Sequence, residues 1–161
     1  MEAKDKNKRE AVRHILTEFL SLHKLRATRE RFEILDAIYN FNGHFTNDQL
    51  QDYLENVCKF RVSRATIYNT LNLFMEARLV VCHNCSVPPQ YERALFVDPH
   101  FHLICTECKS MTEMKNSLIG ESLKLVDTKR FKAAYHMLYV YGLCAKCALR
   151  KKREMKKLDK L

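Results

Sequence analysis

Apolar residues recur with helical spacing through the first half of the chain. Val12, Ile15, Leu16, Phe19 and Leu20 stand at i, i+3, i+4, i+7 and i+8, one face of an amphipathic helix. Beyond Thr28, the residues Phe32, Ile34, Leu35 and Ile38 give a second stripe, which stops near the Asn-Phe-Asn-Gly turn at Asn40 to Gly43. Thr46 with Gln49 three residues on has the form of a capping box, and Leu50, Tyr53, Leu54 and Val57 supply the buried stripe behind it. Ser63 suits the N-cap of a fourth helix whose apolar face is Ile67, Leu71 and Phe74.

The other face of that fourth helix is polar. Arg64, Ala65, Tyr68, Asn69 and Asn72 fall together there, with no acidic residue among them. Arg and Asn pair bidentately with guanine and adenine edges, and a helix fits the major groove, so this surface has the chemistry of a recognition helix. An ordinary solvent-facing stripe is the other reading of the same residues. Two short strand-like runs follow, Leu79 to His83 and Gln90 to Phe96, around a turn with Pro88 and Pro89. Helices followed by a two-stranded wing predict a winged helix-turn-helix.

Past Asp98 the pattern changes from helical to alternating. His100, His102 and Ile104 point to one face of an extended strand, and Phe101, Leu103 and Cys105 to the other. The two imidazoles on one face are placed to chelate an ion. Ser110 to Met114 reads as another strand, Ser117 to Val126 as a helix, and Tyr135 to Cys144 as a final strand, which makes the second half a small α+β domain.

Seven cysteines and no apolar signal-peptide core in the first thirty residues predict a soluble, cytoplasmic chain whose thiols stay free or bind metal. No stretch matches the roughly 18 apolar residues of a membrane span, so no membrane partner is expected. Cys105 and Cys108, then Cys144 and Cys147, form two Cys-x-x-Cys pairs, the thiolate set of a structural zinc ion. That ion would clamp the last strand to the first in a domain with a thin core. Cys82 and Cys85 bracket His83 without a visible fourth partner and read as idle thiols, with a redox or metal role as the alternative.

The formal charge of +9 points to a polyanionic partner, which double-stranded DNA satisfies. Part of it is crowded into Arg150, Lys151, Lys152, Arg153, Lys156, Lys157 and Lys160, a run that reads as a solvated helix.

The order of these parts carries a resemblance. A winged helix containing LRATRERFEILDAI and SRATIYNTLNLF, followed by HFHLICTEC, MTEM and YGLCAKC, resembles the ferric uptake regulator (Fur) family of bacterial metal-responsive repressors from about Leu25 to Cys147. The resemblance implies an α+β chain with three parts: a winged-helix DNA-binding domain over residues 1–96, a dimerisation and metal-binding domain with a four-cysteine zinc site over 97–149, and a basic tail over 150–161. It implies a homodimer on palindromic operator DNA. It further implies a regulatory site of His44, Glu92, His100, His102 and Glu113 between the two domains, filled by Fe²⁺, Mn²⁺ or Zn²⁺.

The departures from the family pattern also carry expectations. Pro99 and Phe101 replace the His and Asp of a second site in the dimerisation domain, so that site, reduced to Glu121 and His136, is expected to be weak or lost. Candidate DNA contacts are Arg26, Ser63, Arg64, Thr66, Tyr68, Asn69 and Asn72, with Asn69 standing where many members carry Arg and predicting a shifted operator preference. The nearest alternative keeps the fold and changes the effector to haem, another metal or redox state, or binds DNA constitutively. A zinc-ribbon adaptor leaves the His and Glu set unexplained. A metalloenzyme needs a substrate cleft and a positioned acid or base that the sequence does not identify.

Overall fold

A computed structural model describes the chain apart from residues 1, 42, 117, 119–120, 123–124, 127–128, 132–135 and 159–161. The chain forms two compact units, one of Met1–Asn84 with Pro88–Val97 and the other of Cys85–Val87 with Asp98–Leu161.

The first unit contains α1 (Glu2–Leu22), α2 (Arg29–Asn40), α3 (Asn47–Asn56) and α4 (Arg64–Glu76), then β1 (Val80–His83) and β2 (Gln90–Arg93). The helical stripes converge. Val12, Leu16 and Leu20 of α1 share one core with Ile34, Leu35 and Ile38 of α2, Leu50 and Leu54 of α3, and Ile67, Leu71 and Phe74 of α4. The caps form as their residues dictate: Thr46 Oγ1 accepts from the Gln49 N–H at 3.2 Å while Gln49 Oε1 accepts from the Thr46 N–H at 2.9 Å. At α4 the Ser63 hydroxyl accepts from the Thr66 N–H at 3.1 Å.

Val57, expected in the buried stripe of α3, is exposed: the helix ends at Asn56, and Val57 is its C-cap, whose N–H still donates to the Tyr53 C=O at 2.9 Å. The second wing strand stops at Arg93 rather than Phe96, whose φ of +61° takes the backbone out of the extended region. β1 and β2 pair antiparallel with Val81 opposite Glu92 and His83 opposite Gln90.

The second unit contains β3 (His100–Cys105), β4 (Met111–Lys115), β5 (Tyr139–Gly142) and a final helix, α5 (Ala145–Leu158). The sheet order is β4-β3-β5, with β4 antiparallel and β5 parallel to the central strand. The last strand is shorter than expected, since His136 to Leu138 are not extended partners, although Leu138 C=O still accepts from the His102 N–H at 3.0 Å. Of the helix expected over 117–126, Leu118, Glu121 and Ser122 are helical, Leu125 and Val126 are turn and bend, and the rest lies outside the described residues. The basic run continues α5 from Arg150 through Lys157, with Lys160 outside the described residues, so the boundary placed at 149 falls inside that helix. Among the described residues no helix is long and apolar enough to cross a membrane.

Candidate metal centres and nucleic-acid interface

Parallel pairing of β3 with β5 is what assembles the four cysteines. Two parallel strands deliver their C-terminal ends to the same side of a sheet, and here Cys105 lies opposite Gly142. Just beyond β3, the Thr106 N–H donates to the Gly142 C=O at 2.8 Å, which holds the first Cys-x-x-Cys turn against the approach to the second. Cys144 lies two residues past the end of β5, and Cys147 lies in the first turn of α5.

All four thiols are free of disulfides, and their sulfurs lie within 4.8 Å of one another. Cys108 Sγ is 3.8 Å from Cys144 Sγ. A tetrahedron with Zn–S bonds of about 2.3 Å has an edge of about 3.8 Å, so the spacing fits zinc. The electrostatics point the same way. Backbone N–H groups of Cys144 and Cys108 hold the Cys105 thiol down to about 6, and the Ser110 hydroxyl lowers Cys108. Cys147 is pushed up to about 12 by its neighbours, first among them Cys144, together with burial. Four adjacent thiolates need a cation to coexist.

A second group of donors sits in the first unit. The loop between α2 and α3 carries His44, and the next residue, Phe45, forms a β-bridge with Tyr91 of β2. That bridge sets His44 opposite Glu92, and His44 Nε2 is 3.2 Å from Glu92 Oε2. The other carboxylate oxygen, Oε1, lies 3.2 Å from His83 Nε2. The two imidazoles meet edge to face at 5.1 Å between ring centres. Glu92 and His83 are both buried, His83 completely.

His83 was not in the expected ligand set. Strand alternation puts it on one sheet face of β1 with Val81, but only the ladder register, which sets Glu92 opposite Val81, brings His83 and Glu92 together.

In the second unit, His100 and His102 lie on one face of β3 with ring centres 4.8 Å apart, and Glu113 of β4 stands opposite His102. His102 is buried, and His100 Nδ1 is 2.9 Å from the Asp98 carbonyl oxygen. Three of the expected donors therefore share one sheet surface. Glu121 and His136 are exposed, and among the described residues neither joins a cluster of three or more metal-binding side chains. Cys82 Sγ lies 3.2 Å from Asn84 Oδ1, and Cys85 Sγ lies 3.9 Å from Met111 Sδ.

On α4, Asn69 is exposed and the Tyr68 ring half-exposed, while Asn72 and Thr66 are half-buried and Ser63 is spent on the helix cap. Arg64 differs from expectation. Its guanidinium is 2.9 Å from Asp48 Oδ1 and donates to Gln51 Oε1 at 3.1 Å, so α3 brings an acid to a face expected to have none. Arg26 is exposed, and its carbonyl accepts from the Arg31 guanidinium. An open groove of about 280 Å³ lined by Thr28, Arg31, Thr66 and Asn69, among others, runs between the start of α2 and α4.

The profile of the ferric uptake regulator family matches residues 23–141. The chain is 32% identical over 127 residues to the ferric uptake regulation protein of Campylobacter upsaliensis, covering 76% of this chain and 80% of that one. It is 33% identical over 141 residues to the peroxide operon regulator of Bacillus subtilis, covering 84% of this chain and 94% of that one. In fold it is similar to the ferric uptake regulator of Helicobacter pylori, described as having three functional metal-binding sites. The TM-score is 0.63 at 19% identity, over 87% of this chain and 93% of that one.

Proposed function

This chain belongs to the ferric uptake regulator family, whose members are transcriptional regulators rather than enzymes, and on that premise we propose that it is a dimeric, metal-activated repressor. It acts in the cytoplasm on palindromic double-stranded operator DNA. Cys105, Cys108, Cys144 and Cys147 hold a structural zinc ion that closes the second unit. His44 and Glu92 from the first unit and His100, His102 and Glu113 from the second share one regulatory divalent ion, Fe²⁺, Mn²⁺ or Zn²⁺.

The main support is that each unit carries its own half of this donor set, His44 against Glu92 in one and His100, His102 and Glu113 on one sheet face in the other. Sharing an ion ties the two units into one relative orientation, and that orientation lets both recognition helices of a dimer reach successive major grooves. Tyr68 and Asn69 read base edges, Asn72, Ser63 and Thr66 line the same helix, and Arg26 contacts the backbone or minor groove. Arg64, already paired with Asp48, acts through phosphate or by exchanging that partner on binding.

Linkage supplies the test. If metal raises DNA affinity by a factor of about 5 to 150, DNA must raise metal affinity by the same factor. Both arms are measurable by titrating labelled operator with and without metal, and metal with and without operator, at fixed salt. Equal factors support the switch, and loss of both in His102→Ala with the cysteine zinc retained places it at these donors. DNA affinity indifferent to metal would overturn it in favour of a constitutive binder or another effector.

A further inference from the structure

We propose that His83 is itself a ligand of the regulatory metal, so that the first unit contributes three donors, His44, His83 and Glu92; this rests on the regulatory site proposed above and adds a residue which that site does not use. His83 ends β1 on the same sheet face as Glu92 and has none of its surface exposed. Imidazole and carboxylate buried together must satisfy one another or a cation. Both imidazoles present Nε2 to the same carboxylate, one to each oxygen, and each at 3.2 Å. Ligand atoms about 2.1 Å from an ion are about 3.0 Å apart along an octahedral edge and about 3.4 Å along a tetrahedral one. The observed spacing lies between these, and the donor atoms of the three side chains fall within 4.8 Å of one another.

The added nitrogen has a chemical consequence. Imidazole-rich sets suit Zn²⁺ and Fe²⁺, whereas Mn²⁺ is better served by carboxylate and water oxygens. His83 therefore biases the site against Mn²⁺.

A purely positioning role would have His83 steady Glu92 by a hydrogen bond. His83→Gln separates the two roles, because a glutamine amide can still donate to the carboxylate but is a poor metal ligand. Full-length protein with its cysteine zinc in place would be titrated with Co²⁺ as the spectroscopic probe, and with Zn²⁺ and Mn²⁺ under chelator competition. The variants are His83→Gln, His83→Ala and His44→Ala.

The expected result is that both His83 variants lose more Co²⁺ affinity than the roughly 10- to 100-fold that removing an outer-shell partner costs. Their Co²⁺ absorption bands should shift and the preference for Zn²⁺ over Mn²⁺ should narrow, while the cysteine zinc and the melting temperature are retained. If His83→Gln binds like the parent while His44→Ala does not, His83 is not a ligand and the regulatory site stands without it. If His44→Ala also binds like the parent, the regulatory site itself is refuted. Should the His83 variants fail to fold, X-ray absorption at the cobalt edge of the parent protein decides: four coordinated imidazoles support the inference, and three or fewer overturn it.

Discussion

Phe45 and Tyr91 exchange both of their backbone hydrogen bonds, the Phe45 N–H reaching the Tyr91 C=O at 2.9 Å and the Tyr91 N–H the Phe45 C=O at 2.7 Å. Their rings stack at 6.0 Å between centres, with the Phe45 ring fully buried. In an antiparallel bridge the flanking residues also face one another, so this one contact places His44 across from Glu92. Core packing thus positions the loop that carries a candidate ligand.

Replacing Phe45 by alanine should therefore do two things at once. Loss of a fully buried ring costs about 3 to 5 kcal/mol of folding stability. The loop held by Tyr91 should loosen as well and weaken Co²⁺ binding at the His44 and Glu92 site. Urea unfolding followed by Co²⁺ titration below the transition checks both. Reduced stability with unchanged metal affinity would show that the bridge does not govern the site.

The cysteine site makes a pH-dependent prediction. Cys105 is depressed from 9.0 to about 6 by backbone N–H donors, so its thiolate is present above about pH 6 and is lost as pH falls through that value. Protons compete with zinc for each thiolate. Apparent zinc affinity, measured by chelator competition, should fall more steeply once pH drops below about 6. Strong chelation near neutral pH should melt the second unit and leave the helical first unit folded, as circular dichroism and proteolysis would report. A flat affinity profile through that range would contradict the cysteine assignment.

Glu107 lies inside the first Cys-x-x-Cys turn and pairs with both Lys151 and Arg150 of α5, the latter at 3.8 Å. These cations hold its carboxyl below the usual glutamate value, Lys151 first. The sign follows from linkage: the pairing helps α5 above the unfolded pKa and is lost as pH falls through the lower folded value. Glu107→Gln should raise the amide exchange of the second turn of α5 near neutral pH and have no effect in acid, where the parent carboxyl is protonated too. Equal exchange of parent and variant at neutral pH would rule out this anchor.

The helical half was readable from the sequence because local signals and burial agree there. Thr46 and Gln49 specify their own cap, and Val12, Leu16 and Leu20 need only a helix to become a core stripe. The four cysteines were readable because two short turns fix the bite of each pair. His83 was not, because the turn between β1 and β2 is too long for loop chemistry to set a register, and only the register puts His83 beside Glu92. Arg64 misled for a related reason. Its neighbour Asp48 is distant in sequence, and only the packing of α3 on α4 joins them. His83 and Arg64 alike take their partners from how two elements meet.

Asn69 is exposed on α4, next to Tyr68 in the chain. An asparagine reads adenine through N6 and N7, whereas an arginine reads guanine through O6 and N7, and a good bidentate pair is worth about 1 to 3 kcal/mol of discrimination. Asn69→Arg should therefore move the selected base at one position of each half-site from adenine toward guanine, with a preference change of about 5- to 150-fold, and leave the rest of the operator unchanged. The added charge should also steepen the salt dependence of nonspecific binding by about one phosphate contact. Selection from randomised duplexes with parent and variant, both metal-loaded and at one salt concentration, measures the first effect, and a salt titration the second. If both proteins select the same sequences while the salt slope rises, Asn69 faces the phosphate backbone, and base reading falls to Tyr68 and its neighbours.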